Sequence, residues 1–137
     1  MATVTYYADD VAEARAWYTE FLGVEAYFSR NAPDGTLGYA EFRIGDYQAE
    51  LGLVQRQFEV TPSEGPGGSI LFWAVDDLEA TVARLLELGA KVHDEIRERG
   101  EGFVTASVVD PFGNILGVMT NTHYLSVVGQ NRDKRLG

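Results

Sequence analysis

The stretch DDVAEARAWYTEFLG at residues 9–23 is repeated in outline by DDLEATVARLLELG at residues 76–89. Each copy begins with two aspartates, continues with apolar residues at helical spacing, ends in Leu-Gly and is followed by strand-like segments. Neither half of a chain of 137 residues is large enough to bury a good core alone. The repeat therefore predicts two similar modules packed into one body, with the function located between them.

Both copies carry the signals of a helix start and a helix end. Asp10 with Glu13, and Asp76 with Glu79, have the three-residue spacing of a capping box. Gly23 follows the first copy at the place where helices commonly end. The apolar stripes created by the helical period are Val11, Ala14, Trp17, Tyr18, Phe21 and Leu22 in the first copy, and Leu78, Val82, Leu85, Leu86 and Leu88 in the second.

Strand periodicity surrounds each helix with β-structure. It predicts strands at 3–8, 24–29, 39–44 and 47–54, then at 70–75, 90–93, 103–109 and 115–120. Proline, glycine and charged residues predict loops at 31–38 and 93–102, a linker at 59–68 and a tight DPFGN turn at 110–114. We thus expect module 1 at about 1–58, module 2 at about 69–125 and a basic, frayed tail at 126–137.

The segment from residue 39 to residue 54 predicts a hairpin whose register can be written down. A two-residue turn at Gly45-Asp46 would place Ile44 opposite Tyr47 and Glu41 opposite Glu50. One face would then be apolar and meet the helix, and the other would be polar and point away from it. The apolar face is Ala40, Phe42, Ile44, Tyr47, Ala49, Leu51 and Leu53, and the polar face is Tyr39, Glu41, Arg43, Gln48 and Glu50.

Composition excludes several functional classes. Without cysteine there is no disulfide, no thiolate nucleophile and no zinc site built on sulfur. A net charge of −10 repels nucleic acid and anionic lipid and favours cationic partners, although it also serves solubility alone. No apolar run approaches the roughly 20 residues of a membrane span, and the N-terminus has no secretion pattern. We therefore expect a cytoplasmic protein that binds neither nucleic acid nor membrane.

The order of strand, helix and three strands, found twice, resembles the vicinal oxygen chelate superfamily of glyoxalases, bleomycin resistance proteins and extradiol dioxygenases. The Asp-Asp helix starts, the helix ending from Trp17-Tyr18 to Leu22-Gly23 and the DPFGN turn carry the resemblance, which covers residues 3–125. It implies an α+β fold of two βαβββ modules that form a cupped mixed sheet with the helices outside. It also implies a pocket on the inner face.

The resemblance also identifies four positions at which metal-dependent members carry ligands. In this chain they are Thr3, Glu50, Ile70 (or Ser69 in a shifted register) and Gly117. A divalent ion generally needs three or more protein ligands, and only Glu50 is a good one. His93 and His123 are at none of these positions. We therefore expect no metal and no other cofactor.

The polar face of the hairpin gives the sharpest functional hypothesis. Carboxylates opposed across two strands, as expected for Glu41 and Glu50, repel each other unless something compensates. Arg43 on the same face is a purely structural answer. Protonation of one carboxyl group and binding of a cationic ligand are two functional answers.

Other inward positions complete the expected pocket. Tyr7 and Tyr39 extend the acidic wall, and Gly117 leaves room on the opposite wall by lacking a side chain. The remaining candidates for ligand contact are Ile70, Phe72, Phe103, Thr105, Ser107 and, at the rim, His123 and Tyr124.

Two functions from different classes remain. The first is a metal-free protein that sequesters a cationic or amphipathic small molecule, as the antibiotic-resistance branch of the superfamily does. The second is a lyase or isomerase in which Glu50 acts as general base, with Tyr7, Thr105, Ser107 or His123 as oxyanion stabiliser. A structural or partner-binding module, which a pocket filled with its own side chains would indicate, is a third possibility. Because superfamily members commonly pair, we also expect a homodimer.

Overall fold

The computed structural model describes residues 2–62 and 64–136, and it divides into two compact units. Unit 1 comprises residues 1–67 together with 111–114, and unit 2 comprises residues 68–110 and 115–137. Ser63 of the expected linker and Gly137 of the expected tail lie outside the described residues. Each unit contains a four-stranded mixed sheet with a helix packed on it, which confirms the two βαβββ modules of the expected α+β fold.

Unit 1 contains β1 (Thr3–Ala8), α1 (Val11–Leu22), β2 (Phe28–Asn31), β3 (Leu37–Ile44), β4 (Ala49–Gln55) and a 3₁₀ turn (Arg56–Phe58). The strand order is β1-β4-β3-β2, with β1 and β4 parallel and the other neighbours antiparallel. Helix α1 packs against β1, β3 and β4. The core between them consists of Tyr6, Ala8, Val11, Ala14, Tyr18, Ala40, Phe42, Leu51 and Leu53.

Unit 2 contains β5 (Leu71–Ala74), α2 (Leu78–Glu87), β6 (Lys91–Gly100), β7 (Phe103–Val109), β8 (Ile115–Asn121) and α3 (Thr122–Leu136). Its strand order, β5-β8-β7-β6, has the same pattern, with β5 and β8 parallel. Helix α2 packs against β6, β7 and β8. Leu78, Leu85, Ala106, Val108, Leu116 and Val118 form the core.

Helix capping follows the sequence signals with one correction. The Asp10 carboxylate accepts a hydrogen bond from the Glu13 backbone at 3.0 Å, and Gly23 ends α1 with φ +70°. In the second copy the capping residue is Asp77, which accepts from the Ala80 backbone at 3.0 Å. The assignment of this cap to Asp76 was wrong, because α2 begins one residue later than the first aspartate suggests.

The DPFGN turn is joined to the first strand. Asn114 accepts a hydrogen bond from the Tyr7 amide at 3.1 Å and donates one to the Tyr7 carbonyl at 2.8 Å, as a neighbouring strand would. Arg56 donates to the Phe112 carbonyl at 2.7 Å and to Asp9 at 3.1 Å. These contacts fix the turn and the end of β1 within unit 1.

Four elements differ from their prediction. The second strand is Phe28–Asn31 rather than 24–29. The hairpin turn has four residues, 45–48, rather than two, and Gln48 adopts φ +54° there. The expected charged loop at 93–102 is largely β6, an edge strand that carries its charges into solvent. The expected frayed tail is helical in α3, where Asn121 accepts from the Tyr124 amide at 2.9 Å.

No helix among the described residues has the length and apolar character that a membrane crossing requires.

Candidate functional site

The face of the unit 1 sheet that points away from α1 is here called the polar face. Strand pairing arranges its side chains in three rows, about 7 Å apart along the strands. The first row is Arg30, Tyr39, Val54 and Tyr7, the second is Phe28, Glu41, Gly52 and Thr5, and the third is Arg43, Glu50 and Thr3. Tyr7, Tyr39, Glu41, Arg43 and Glu50 of the sequence analysis thus share one face.

The longer hairpin turn changes which residues of β3 and β4 lie opposite each other on the polar face. Arg43 is directly opposite Glu50, and Glu41 is opposite Gly52. The predicted direct opposition of Glu41 and Glu50 was therefore wrong, because the turn consumes two residues that had been assigned to the strand. A shift of two residues keeps the side chains of the paired strands on their expected faces, whereas Tyr47 and Gln48 lie in the turn. The two carboxylates are diagonal neighbours in adjacent rows.

Glu41 is the buried acid of the site, with 8% of its surface exposed. The Tyr39 hydroxyl donates a hydrogen bond to it at 2.5 Å. Burial and, second, the charge of Glu50 raise the pKa of Glu41, while Arg43 opposes the shift. Burial and the same Glu50 charge also raise the pKa of Tyr39.

Glu50 lies at the centre of the third row. It accepts a hydrogen bond from the Thr3 hydroxyl at 2.7 Å, and one of its oxygens is 3.9 Å from the Arg43 guanidinium. Arg43 lies 4.4 Å from the centroid of the Tyr27 ring, which is a cation–π contact. The guanidinium of Arg43 thus lies between the Glu50 carboxylate and the Tyr27 ring.

Aromatic rings line the second row and extend beyond it. The Phe28 ring centroid is 6.4 Å from that of Tyr27 and 6.2 Å from that of Tyr39. Both Tyr27 and Phe28 are about half exposed. The sequence analysis missed Tyr27, Phe28 and Arg30, because it placed the second strand at 24–29 and could not pair it with β3.

Gly52 makes room for this arrangement. A Cβ atom built on Gly52 would lie 2.8 Å from the Tyr39 hydroxyl oxygen, closer than real Cβ atoms approach. The tyrosine ring therefore lies over the glycine, and its hydroxyl reaches Glu41 from there. The signal in the sequence was a glycine inside a strand, which often marks close approach by another group.

The equivalent face of unit 2 is occupied by its own side chains. A Cβ atom on Gly117 would meet Phe72 at 2.6 Å and Ile70 at 2.9 Å, so the room expected at Gly117 is filled. Thr105 and Ser107 are buried. Their hydroxyls lie 3.1 Å from Arg99 and 2.9 Å from His93, respectively.

The remaining candidates lie toward the ends of strands. Phe103 begins β7 and is partly exposed. His123 and Tyr124 are exposed in the first turn of α3.

The four family metal positions form two neighbouring pairs. Thr3 and Glu50 are direct partners across β1 and β4 and are hydrogen-bonded. In unit 2, Ile70 lies against Gly117. Within residues 2–62 and 64–136, no three His, Cys, Asp or Glu side chains form a group suited to a metal ion.

Comparison with known proteins gives a consistent picture. A family model described as the Glyoxalase/Bleomycin resistance protein/Dioxygenase superfamily matches residues 1–118. None of the curated proteins compared by sequence matches the chain significantly.

Similar solved structures include a glyoxalase-related enzyme from Fulvimarina pelagi, with a TM-score of 0.70 at 20% identity over 89% of this chain and 88% of that one. Lactoylglutathione lyase from Agrobacterium tumefaciens has a TM-score of 0.63 at 22% identity over 87% and 91%. TioX from Micromonospora sp. ML1 has a TM-score of 0.65 at 17% identity over 88% and 97%. At such identities these likenesses concern the fold.

Proposed function

The chain belongs to the glyoxalase/bleomycin resistance protein/dioxygenase superfamily, and we propose that it is a binding protein of this group that sequesters a cationic or amphipathic small molecule. The observation that carries the proposal is the polar face, where Glu41 and Glu50 lie among the rings of Tyr27, Phe28 and Tyr39. Carboxylates and aromatic faces both attract organic cations. The guanidinium of Arg43, held between Glu50 and Tyr27, illustrates the kind of group that fits there.

We further propose that the metal site of the family is degenerate in this protein. Of the two pairs of positions, only Glu50 supplies a good ligand, and the space at Gly117 is filled by hydrocarbon from Ile70 and Phe72. This donor set does not fit a catalytic divalent ion, which needs three or more protein ligands. Binding of an organic cation by charge and aromatic stacking requires no metal ion.

Substitution of the third-row acid tests this function. We expect Glu50→Gln to weaken binding of benzylamine, a simple aromatic cation, by about fivefold to tenfold, the loss of one charge-assisted contact. Affinity is measured by NMR titration of the purified protein. Glu101→Gln, which makes the same charge change in the turn before β7, is the matched control and should leave the affinity unchanged.

The same pair of proteins distinguishes the enzymatic alternative. The wild type should show no proton exchange or isomerisation of carbonyl compounds. Turnover that disappears in Glu50→Gln would indicate that Glu50 is a general base and would contradict a pure binding role. Equal benzylamine affinity in the wild type and in Glu50→Gln would remove the proposal for this site.

A further inference from the structure

A groove of about 490 Å³ opens beside the first row of the polar face. This volume is within the range of small-molecule sites. The groove lies between the β2–β3 loop and the 3₁₀ turn after β4. Its lining is Arg30, Asn31, Ala32, Pro33, Gly38, Tyr39, Val54 and Phe58.

The groove has the opposite electrostatic character to the rest of the polar face. Arg30 is the charged member of its lining, and no carboxylate is among the lining residues. The other walls are largely apolar, with the rings of Tyr39 and Phe58 and the side chain of Val54. In a protein with a net charge of −10, this combination suits a flat apolar body that carries an acidic group.

The groove and the acidic part of the site are contiguous. Arg30 pairs directly with Tyr39, and Glu41 is in the next row, opposite Phe28. Such diagonal neighbours are about 7–8 Å apart along the sheet. The Tyr39 side chain belongs to both places, because it lines the groove and donates to Glu41.

We propose that the ligand is amphoteric, with a cationic end at Glu41 and Glu50, a flat apolar body against Tyr39 and Phe58, and an acidic group held by Arg30. The inference rests on the proposed function and specifies its ligand class. Charge complementarity carries it: the second and third rows hold two carboxylates against the one guanidinium of Arg43, and the first row holds the guanidinium of Arg30. A molecule that satisfies both must carry both charges, separated by an apolar spacer.

Three related probes test the ligand class. The compound 4-(aminomethyl)phenylacetate has an ammonium group and a carboxylate at opposite ends of a benzene ring, while benzylamine keeps only the cation and phenylacetate only the anion. In NMR titrations the amphoteric probe should bind the wild type about tenfold more tightly than benzylamine, the contribution of one charge-assisted contact. Arg30→Gln should remove this advantage.

Arg84→Gln in α2 is the matched control, since it removes the same charge outside unit 1. It should affect none of the three affinities. Equal binding of the amphoteric probe and benzylamine, or an advantage that survives Arg30→Gln, would overturn the inference. That failure is distinct from failure of the proposed function, which appears as insensitivity of benzylamine binding to Glu50→Gln.

Discussion

At the scale of single residues, the chemistry of the site depends on how Glu41 is held. The acid is nearly buried, yet it has a short hydrogen bond from Tyr39 and a second acid in the next row. Gly52 is essential to this geometry, because any side chain there would meet the Tyr39 hydroxyl. Burial and the charge of Glu50 raise the pKa of Glu41, and the missing Cβ atom of Gly52 leaves room for the tyrosine that holds the carboxyl group.

The raised pKa of Glu41 has a consequence for stability. Because the pKa is higher in the folded than in the unfolded chain, the folded state binds more protons between these two values, and stability falls as the pH rises through this interval. Glu41→Gln removes the unfavourable charge and can still accept from Tyr39. We expect it to stabilise the protein by about 0.5 kcal/mol at pH 8, the size of a cross-strand charge effect.

The gain of Glu41→Gln should shrink toward pH 4, because the carboxyl group of the wild type takes up a proton as the pH falls through its raised pKa. Urea unfolding at the two pH values measures the difference. The variant Glu101→Gln controls for the loss of one negative charge from an acidic protein. A Glu41→Gln variant less stable than the wild type at pH 8 would show that the carboxylate is stabilising instead.

At the scale of elements, the DPFGN turn holds the first strand through one side chain. Asn114→Ala removes both hydrogen bonds to the Tyr7 backbone and leaves a half-buried amide and carbonyl without these bonds. With about 1 kcal/mol for each bond, we expect a loss of about 2 kcal/mol in the free energy of unfolding. Chemical denaturation measures it.

Asn131→Ala on the exposed surface of α3 is the control for the asparagine substitution and should cost little. A loss at Asn114 no larger than at Asn131 would mean that solvent replaces the two bonds at no cost.

Sequence patterns predicted the elements better than their boundaries. The helices, the duplicated strand order and the polar face depend on residue periodicity, which a shift of two residues leaves intact. The pairing of Glu41 with Gly52 depends on the length of the turn at 45–48. Gln48 has a positive φ in this turn, and glutamine is not a residue type that predicts such a conformation. The space at Gly117 was misjudged because the neighbours of a glycine, Phe72 and Ile70, are known only in three dimensions.

The wrong boundaries predicted for β2 explain why part of the site was missed. A strand at 28–31 brings Phe28 and Arg30 onto the polar face, whereas the predicted strand at 24–29 left them without partners. The groove and the Arg30 guanidinium that lines it therefore could not be predicted from the sequence. Arg30 is an ordinary exposed arginine until its pairing with Tyr39 is known.

At the scale of the whole molecule, the charge of −10 opposes association between copies of the chain. We propose a homodimer, since members of the superfamily commonly pair. Large apolar side chains are exposed in both units, among them Tyr47, Phe58 and Val60 in unit 1 and Val92 and Phe103 in unit 2. Exposed apolar surface favours association where it forms a contiguous patch.

The dependence of dimerisation on ionic strength distinguishes a dimer held by apolar contacts from one held by ion pairs. Two copies that each carry −10 repel one another, and salt screens this repulsion over a Debye length of about 10 Å at 0.1 M. A dimer formed by apolar burial should therefore become tighter from 0.05 to 0.5 M NaCl, whereas one formed by ion pairs would weaken. Sedimentation equilibrium at micromolar concentration should give twice the 15.1 kDa of one chain. A monomer at both salt concentrations would contradict the dimer, and dissociation at the higher one would contradict its apolar origin.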